Sequence, residues 1–101
     1  MVGSVTIQYF EGCPNHHLAE ERVAEALRRI GHSSPVVRLE LVADEAEAAR
    51  LGFRGSPTVL VEGVDPFADP TAPVGFACRV YATPAGREGA PSVEQLVEVL
   101  C

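Results

Sequence analysis

The chain of 101 residues contains no lysine: its cationic side chains are eight arginines, set against fourteen Asp and Glu for a formal net charge of −6. That balance excludes a nucleic-acid backbone as partner, because affinity for phosphates rests on clustered Lys and Arg. Half of the arginines stand three or four residues from a glutamate, as Arg28 and Arg29 do from Glu25, the pattern of a solvated helix face. No apolar run approaches the ~20 residues of a membrane-spanning helix, so no membrane partner is expected. The opening "MVGSVTIQYF" has neither a basic region nor a small-residue cleavage pattern, and a cytoplasmic location is the default expectation. The three cysteines, Cys13, Cys78 and Cys101, show no paired spacing, which argues against a disulfide framework and a structural zinc site. There is no repeat and no low-complexity tract.

What is present is a hydrophobic fraction of 47%, enough for one domain over residues 1–101 that buries roughly 60–70% of its unfolded surface. "SVTIQYF", 4–10, places Val5, Ile7 and Tyr9 on one side and reads as a strand. From Pro14 to Ile30, residues Ala19, Val23, Ala26, Leu27 and Ile30 recur at helical spacing, and Gly31 supplies the stop. A proline opening this helix makes Cys13 the expected N-cap. "PVVRLELVA", 35–43, reads as a second strand, followed by Asp44 capping a short helix "EAEAARLG" that Gly52 ends. "PTVLVEG", 57–63, and "CRVYAT", 78–83, read as strands, and "SVEQLVEVL" as a final helix capped by Ser92 with Glu94 nearby. The order is βαβαββα, an α/β arrangement with a mixed sheet flanked by helices.

The stretch "EGCPNHH" sets one thiol at the junction of a strand and a long helix. Unpaired amide N–H groups and the positive end of the helix dipole favour an anion there, and the thiolate is the nucleophilic form of cysteine. His16, three residues on, would support a sulfur anion if it faces Cys13. His17 stands about 100° around the helix from its neighbour and reads as an exposed polar residue. Cys13 with His16 or His17 also offers sulfur and imidazole to a soft metal, but two ligands are too few, and no metal site is assigned. Cys78 opens the fourth strand and reads as a buried core thiol. Cys101 reads as exposed and His32 as a loop residue. The connection "GVDPFADPTAPVG" reads as a stiff surface crossing, and Gly86 and Gly89 as turn glycines near the thiol's end of the fold.

"EGCPNHH" after a first strand, with "LGFRGSPTVLVEG" after a short helix, resembles the two active-site segments of the thioredoxin-like superfamily, and the likeness covers most of the chain. The resemblance implies a thioredoxin-like sandwich with a mixed four-stranded sheet flanked by three helices. It implies Cys13 as nucleophile with His16 as its tuning partner, Pro57 in a cis peptide beside the sulfur, and Pro14, Ser56, Pro57 and Thr58 against the substrate. The backbone at Ser56 would pair with a bound peptide or glutathione as an added strand does. The resemblance also implies that Cys78 lies at the end of the sheet away from Cys13, out of disulfide reach. The implied activity is thiol–disulfide exchange on a disulfide or low-molecular-weight thiol, without a cofactor. The chain departs from the dithiol pattern at position 16, where histidine replaces the second cysteine, so a redox cycle needs an external thiol or another cysteine of the chain. That departure keeps an alternative open: a non-catalytic module of the same fold that captures a soft metal or organometal, in the manner of alkylmercury-lyase-related proteins, or a protein partner. A Cys–His hydrolase ranks third, since no orienting carboxylate for His16 is evident from the sequence.

Overall fold

Alternation of apolar residues is what makes the first strand. In β1 (Ser4–Tyr9), Val5 and Ile7 are fully buried while Ser4 and Thr6 are half-buried. The computed structural model describes residues 4–31, 36–68 and 74–100, so the expectations for His32, Pro35 and Cys101 lie outside the described residues. β1 leads into α1 (Asn15–Arg29), then β2 (Val36–Leu41), α2 (Glu45–Leu51) and β3 (Thr58–Val61). The chain closes with β4 (Tyr81–Thr83), β5 (Gly86–Glu88) and α3 (Val93–Leu100).

The α1 stripe behaves as its spacing requires: Ala19, Val23, Ala26 and Leu27 are buried, with Arg28 and Arg29 in the last turn where cations suit the helix dipole. Those four residues join Val5, Ile7, Val59, Val61, Ala90, Leu96 and Leu100 in the main core, and α1 packs on α3. Asp44 caps α2 by accepting from the Glu47 N–H at 2.8 Å, and Gly52 ends it in the left-handed region at φ 67°. α3 opens on a reciprocal capping box. The Gln95 N–H donates to Ser92 Oγ at 3.1 Å while Gln95 Oε1 accepts from the Ser92 N–H at 2.8 Å, so the partner is Gln95 and not Glu94. Val42, Ala48 and Phe53 form a second, smaller cluster around α2.

The sheet is mixed, with strand order β2-β1-β3: β1 runs parallel to β2 and antiparallel to β3. It has three strands, not the expected four. β4 instead forms a separate two-stranded hairpin with β5, a stretch whose glycines read as plain turn. Only three residues of the expected strand 78–83 are extended, because Arg79 turns inward. Its guanidinium donates to Asp65 at 2.7 Å and to the Phe67 carbonyl at 2.7 Å, and it lies 4.6 Å over the Tyr81 ring. Between sheet and hairpin, residues 75–79 run alongside 53–56: Gly75 donates to the Phe53 carbonyl, Ser56 to that of Ala77, and Arg79 to that of Ser56. The radius of gyration, 12.8 Å, matches the ~13 Å of a compact chain of this size. Among the described residues no helix is long and apolar enough to cross a membrane.

Candidate functional site

β1 delivers Cys13 to the N-terminal end of α1, but one residue further back than expected. The helix cap is Pro14, with helical φ −72° and ψ −18°, and it makes no side-chain capping bond. Cys13 sits just outside, its N–H donating to the Phe10 carbonyl at 3.2 Å in a tight turn that the positive φ of Gly12 completes. Proline's fixed φ already lies in the helical range, so the chain enters its helical course at residue 14 rather than after a capping cysteine. The first turn of α1 carries no acidic side chain, which suits an anion at this end. Cys13 is 3% exposed, whereas Pro14 beside it is exposed. Gly89 closes over the following residue, since a Cβ there would collide with the Asn15 side chain. Gly89 therefore does stand by this helix end, and it does so by packing.

Ser56, Pro57 and Thr58 are all buried, and the Ser56–Pro57 peptide is cis. The Phe10 N–H donates to Ser56 Oγ at 3.3 Å, which fastens this segment to the end of β1 just ahead of Cys13. Thr58 turns inward, donating its hydroxyl to the Gly55 carbonyl at 2.6 Å. Tyr81 donates its phenol to the Pro57 carbonyl at 2.5 Å, and burial pushes that phenol well above its ordinary range. The backbone of Ser56, expected to pair with a substrate, already pairs with this chain's own residues 77 and 79 in a parallel bridge opposite Cys78. Gly55 permits that approach at φ +119°, where a Cβ would stand 2.8 Å from Arg79 Cβ.

Two expectations for Cys78 are therefore reversed. It is exposed rather than a core thiol, and it lies beside Ser56 at the Cys13 end of the fold rather than at the far end. The cause is that its strand never extends the sheet, so the segment folds back along the loop before β3. A cavity of about 570 Å³ opens here, lined by Cys78 with Arg54, Arg79, Arg87, Phe67 and Tyr81 and not by Cys13.

His16 Nδ1 lies 3.0 Å from Glu20 Oε2, and its ring stacks on Tyr9 with centroids 4.4 Å apart. Among the described residues no hydrogen bond joins it to the Cys13 sulfur. His17 does not stand apart: its ring centroid is 4.0 Å from that of His16 and its Nδ1 is 3.3 Å from the same Glu20 oxygen. Residues one apart diverge at Cβ, yet Glu20 is four residues from one and three from the other, so its side chain bridges both directions. Glu20 was legible only as the last member of an H-H-x-x-E spacing. Tyr9 and Arg79 carry no motif at all.

Comparison with family models, with curated proteins and with solved structures returned no match. What the chain can do rests on its own geometry.

Proposed function

We propose that this chain is a thioredoxin-like thiol–disulfide oxidoreductase working through Cys13 alone. The observation that carries the reading is the placement of one thiol at an uncapped helix N-terminus with no acid in its first turn, next to the Ser56–Pro57–Thr58 segment that Ser56 Oγ ties to the same strand end. In the proposed step the Cys13 thiolate attacks one sulfur of a disulfide such as glutathione disulfide. A new S–S bond forms at Cys13, and the other sulfur departs as thiolate with the electron pair of the broken bond. A second thiol then attacks the mixed disulfide and returns Cys13 to its reduced form. His16, held by Glu20 and stacked on Tyr9, is the side chain assigned to tuning the sulfur anion. Pro14, with Ser56, Pro57 and Thr58, is assigned to the substrate groove. At 3% exposure the sulfur reacts only when a neighbouring group swings aside.

A second reading, a non-catalytic module of the same fold, has a specific observation in its favour. The Ser56 backbone that would receive a peptide is occupied by residues 77 and 79. One experiment separates the two: incubate the protein with glutathione disulfide, measure intact mass, and map the modified cysteine. An adduct at Cys13, lost in Cys13→Ser and reversed by excess reduced glutathione, supports the exchange reaction. Unchanged mass, or an adduct confined to exposed Cys78, rejects it in favour of the binding module.

A further inference from the structure

Three side chains on the first turns of α1 converge without any role in a strand, a cap or the core. His16, His17 and Glu20 each offer one ligand atom, and these atoms all lie within 4.8 Å of one another. The two imidazole Nδ1 atoms are 3.0 Å and 3.3 Å from the one carboxylate oxygen, Glu20 Oε2. Ligand atoms around a tetrahedral zinc at ~2.0–2.1 Å stand about 3.3–3.4 Å apart, so the two nitrogen-to-carboxylate spacings are already close to those an ion imposes, and the histidine nitrogens, within 4.8 Å of each other, need only a side-chain adjustment. We propose that His16, His17 and Glu20 form a binding site for a borderline divalent transition ion of the Zn²⁺, Co²⁺ or Ni²⁺ class.

The chemistry of the donors selects that class. Two imidazole nitrogens with one carboxylate oxygen suit borderline first-row ions, offer too few oxygens for calcium or magnesium, and contain no sulfur for a strictly soft ion. The site is half prepared. His16 is 16% exposed and fixed by the Tyr9 stack, and Glu20, 31% exposed, already faces both rings. His17, at 75% exposure, supplies the outer ligand and leaves the solvent side open for water or an exogenous donor. Three protein ligands with an open position is the arrangement of a zinc site that exchanges ligands rather than a closed structural one. Cys13 is not among the ligands, but His16 and Glu20 are shared with the proposed thiol chemistry, so an ion bound here occupies the imidazole assigned to tuning the sulfur.

The test is titration of the purified, metal-free protein with Co²⁺ followed by visible absorption, and with Zn²⁺ followed by calorimetry. The expected result is one ion per chain, with Co²⁺ ligand-field bands and no thiolate charge-transfer band. His17→Ala and Glu20→Gln should each weaken binding by at least the ~10–100-fold that loss of a mere ligand-orienting residue costs. His17 is exposed and packs on nothing that the fold needs, so His17→Ala keeps the test valid should a variant at His16 or Glu20 fold poorly. Absence of binding by the wild-type protein at millimolar ion overturns the site. So does affinity unchanged in both variants, or a thiolate charge-transfer band, which assigns the ion to a cysteine.

Discussion

A Cβ added to Gly55 would stand 2.8 Å from the Cβ of Arg79 and 3.1 Å from the Ala77 carbonyl oxygen. This glycine is thus the reason residues 77–79 can lie in bonding distance of Ser56. Gly55→Ala is expected to cost about 1–3 kcal/mol of stability from overpacking against backbone, with added strain from the positive φ. Urea denaturation measures the loss. The displaced segment should also change the alkylation rate of Cys78, and an unaltered midpoint together with an unaltered rate would show that the strip is not held there.

Tyr81→Phe removes the donor to the Pro57 carbonyl and leaves that buried oxygen unpaired, a cost of about 1–3 kcal/mol. The same burial dictates the alkaline behaviour. A phenol raised above its ordinary value of 10.0 contributes stability that is complete below that value and is lost as pH rises through the folded one. Melting temperatures collected from neutral to alkaline pH should therefore fall more steeply for the wild type than for Tyr81→Phe. Parallel curves would contradict this.

Arg79 and Asp65 are an ion pair withdrawn from water, with side chains 9% and 16% exposed. Asp65→Ala leaves the guanidinium with neutral partners only, the Phe67 carbonyl and the Thr58 hydroxyl, and should destabilise the protein by up to ~3–5 kcal/mol. Replacement of Glu25, which pairs with arginines in the open on α1, should cost no more than ~1 kcal/mol. Equal costs in thermal unfolding would count against the distinction.

Glu88 governs an acid-side effect. Its hydrogen bond with Arg22, then that with Thr83, holds the carboxyl below its ordinary 4.5. A lowered carboxyl contributes stability above the unfolded value and loses it as pH falls through the folded one. Glu88→Gln should flatten the acid limb of a stability-against-pH curve and leave the alkaline limb alone. Arg22 also donates to the Ala90 and Pro91 carbonyls, so part of its hold on the hairpin survives the substitution.

Legibility in the sequence followed the reach of each signal. The α1 stripe, the Asp44 cap, the Gly52 stop and the Ser92 cap are local patterns, and each stands where its spacing puts it. The hairpin was missed because β5 is Gly-Arg-Glu, without a β-branched or aromatic residue, and its Pro84-Ala85 tip is not a favoured hairpin pair. That tip is held instead by Thr83, whose hydroxyl accepts from the Ala85 N–H and shares its one proton between the Gly86 carbonyl and Glu88. At the candidate site, the motif places Cys13 after β1 and the cis Ser56–Pro57 peptide ahead of β3, and both stand there, but the exposure of Cys78 and the filling of the Ser56 backbone depend on where Arg79 anchors. That is a contact across fourteen residues which no local pattern encodes. The meeting of His16, His17 and Glu20 follows from helical geometry only when the reach of the Glu20 side chain is added to the angles of the two histidines.

The division of the strands into two ladders has a consequence for how the molecule breathes. Backbone amides of β1 and β3, whose Val5, Ile7, Val59 and Val61 sit in the main core, open only with that core and should exchange with deuterium at the rate set by global unfolding. The amides of β4 and β5 answer to a shorter ladder of three residue pairs, and can be released by sub-global opening at lower free energy. An exchange profile with the amides of 81–88 in a lower tier than those of β1, β3 and the α1–α3 pair would mark the Ser56–Cys78 seam as the place where the fold comes apart first.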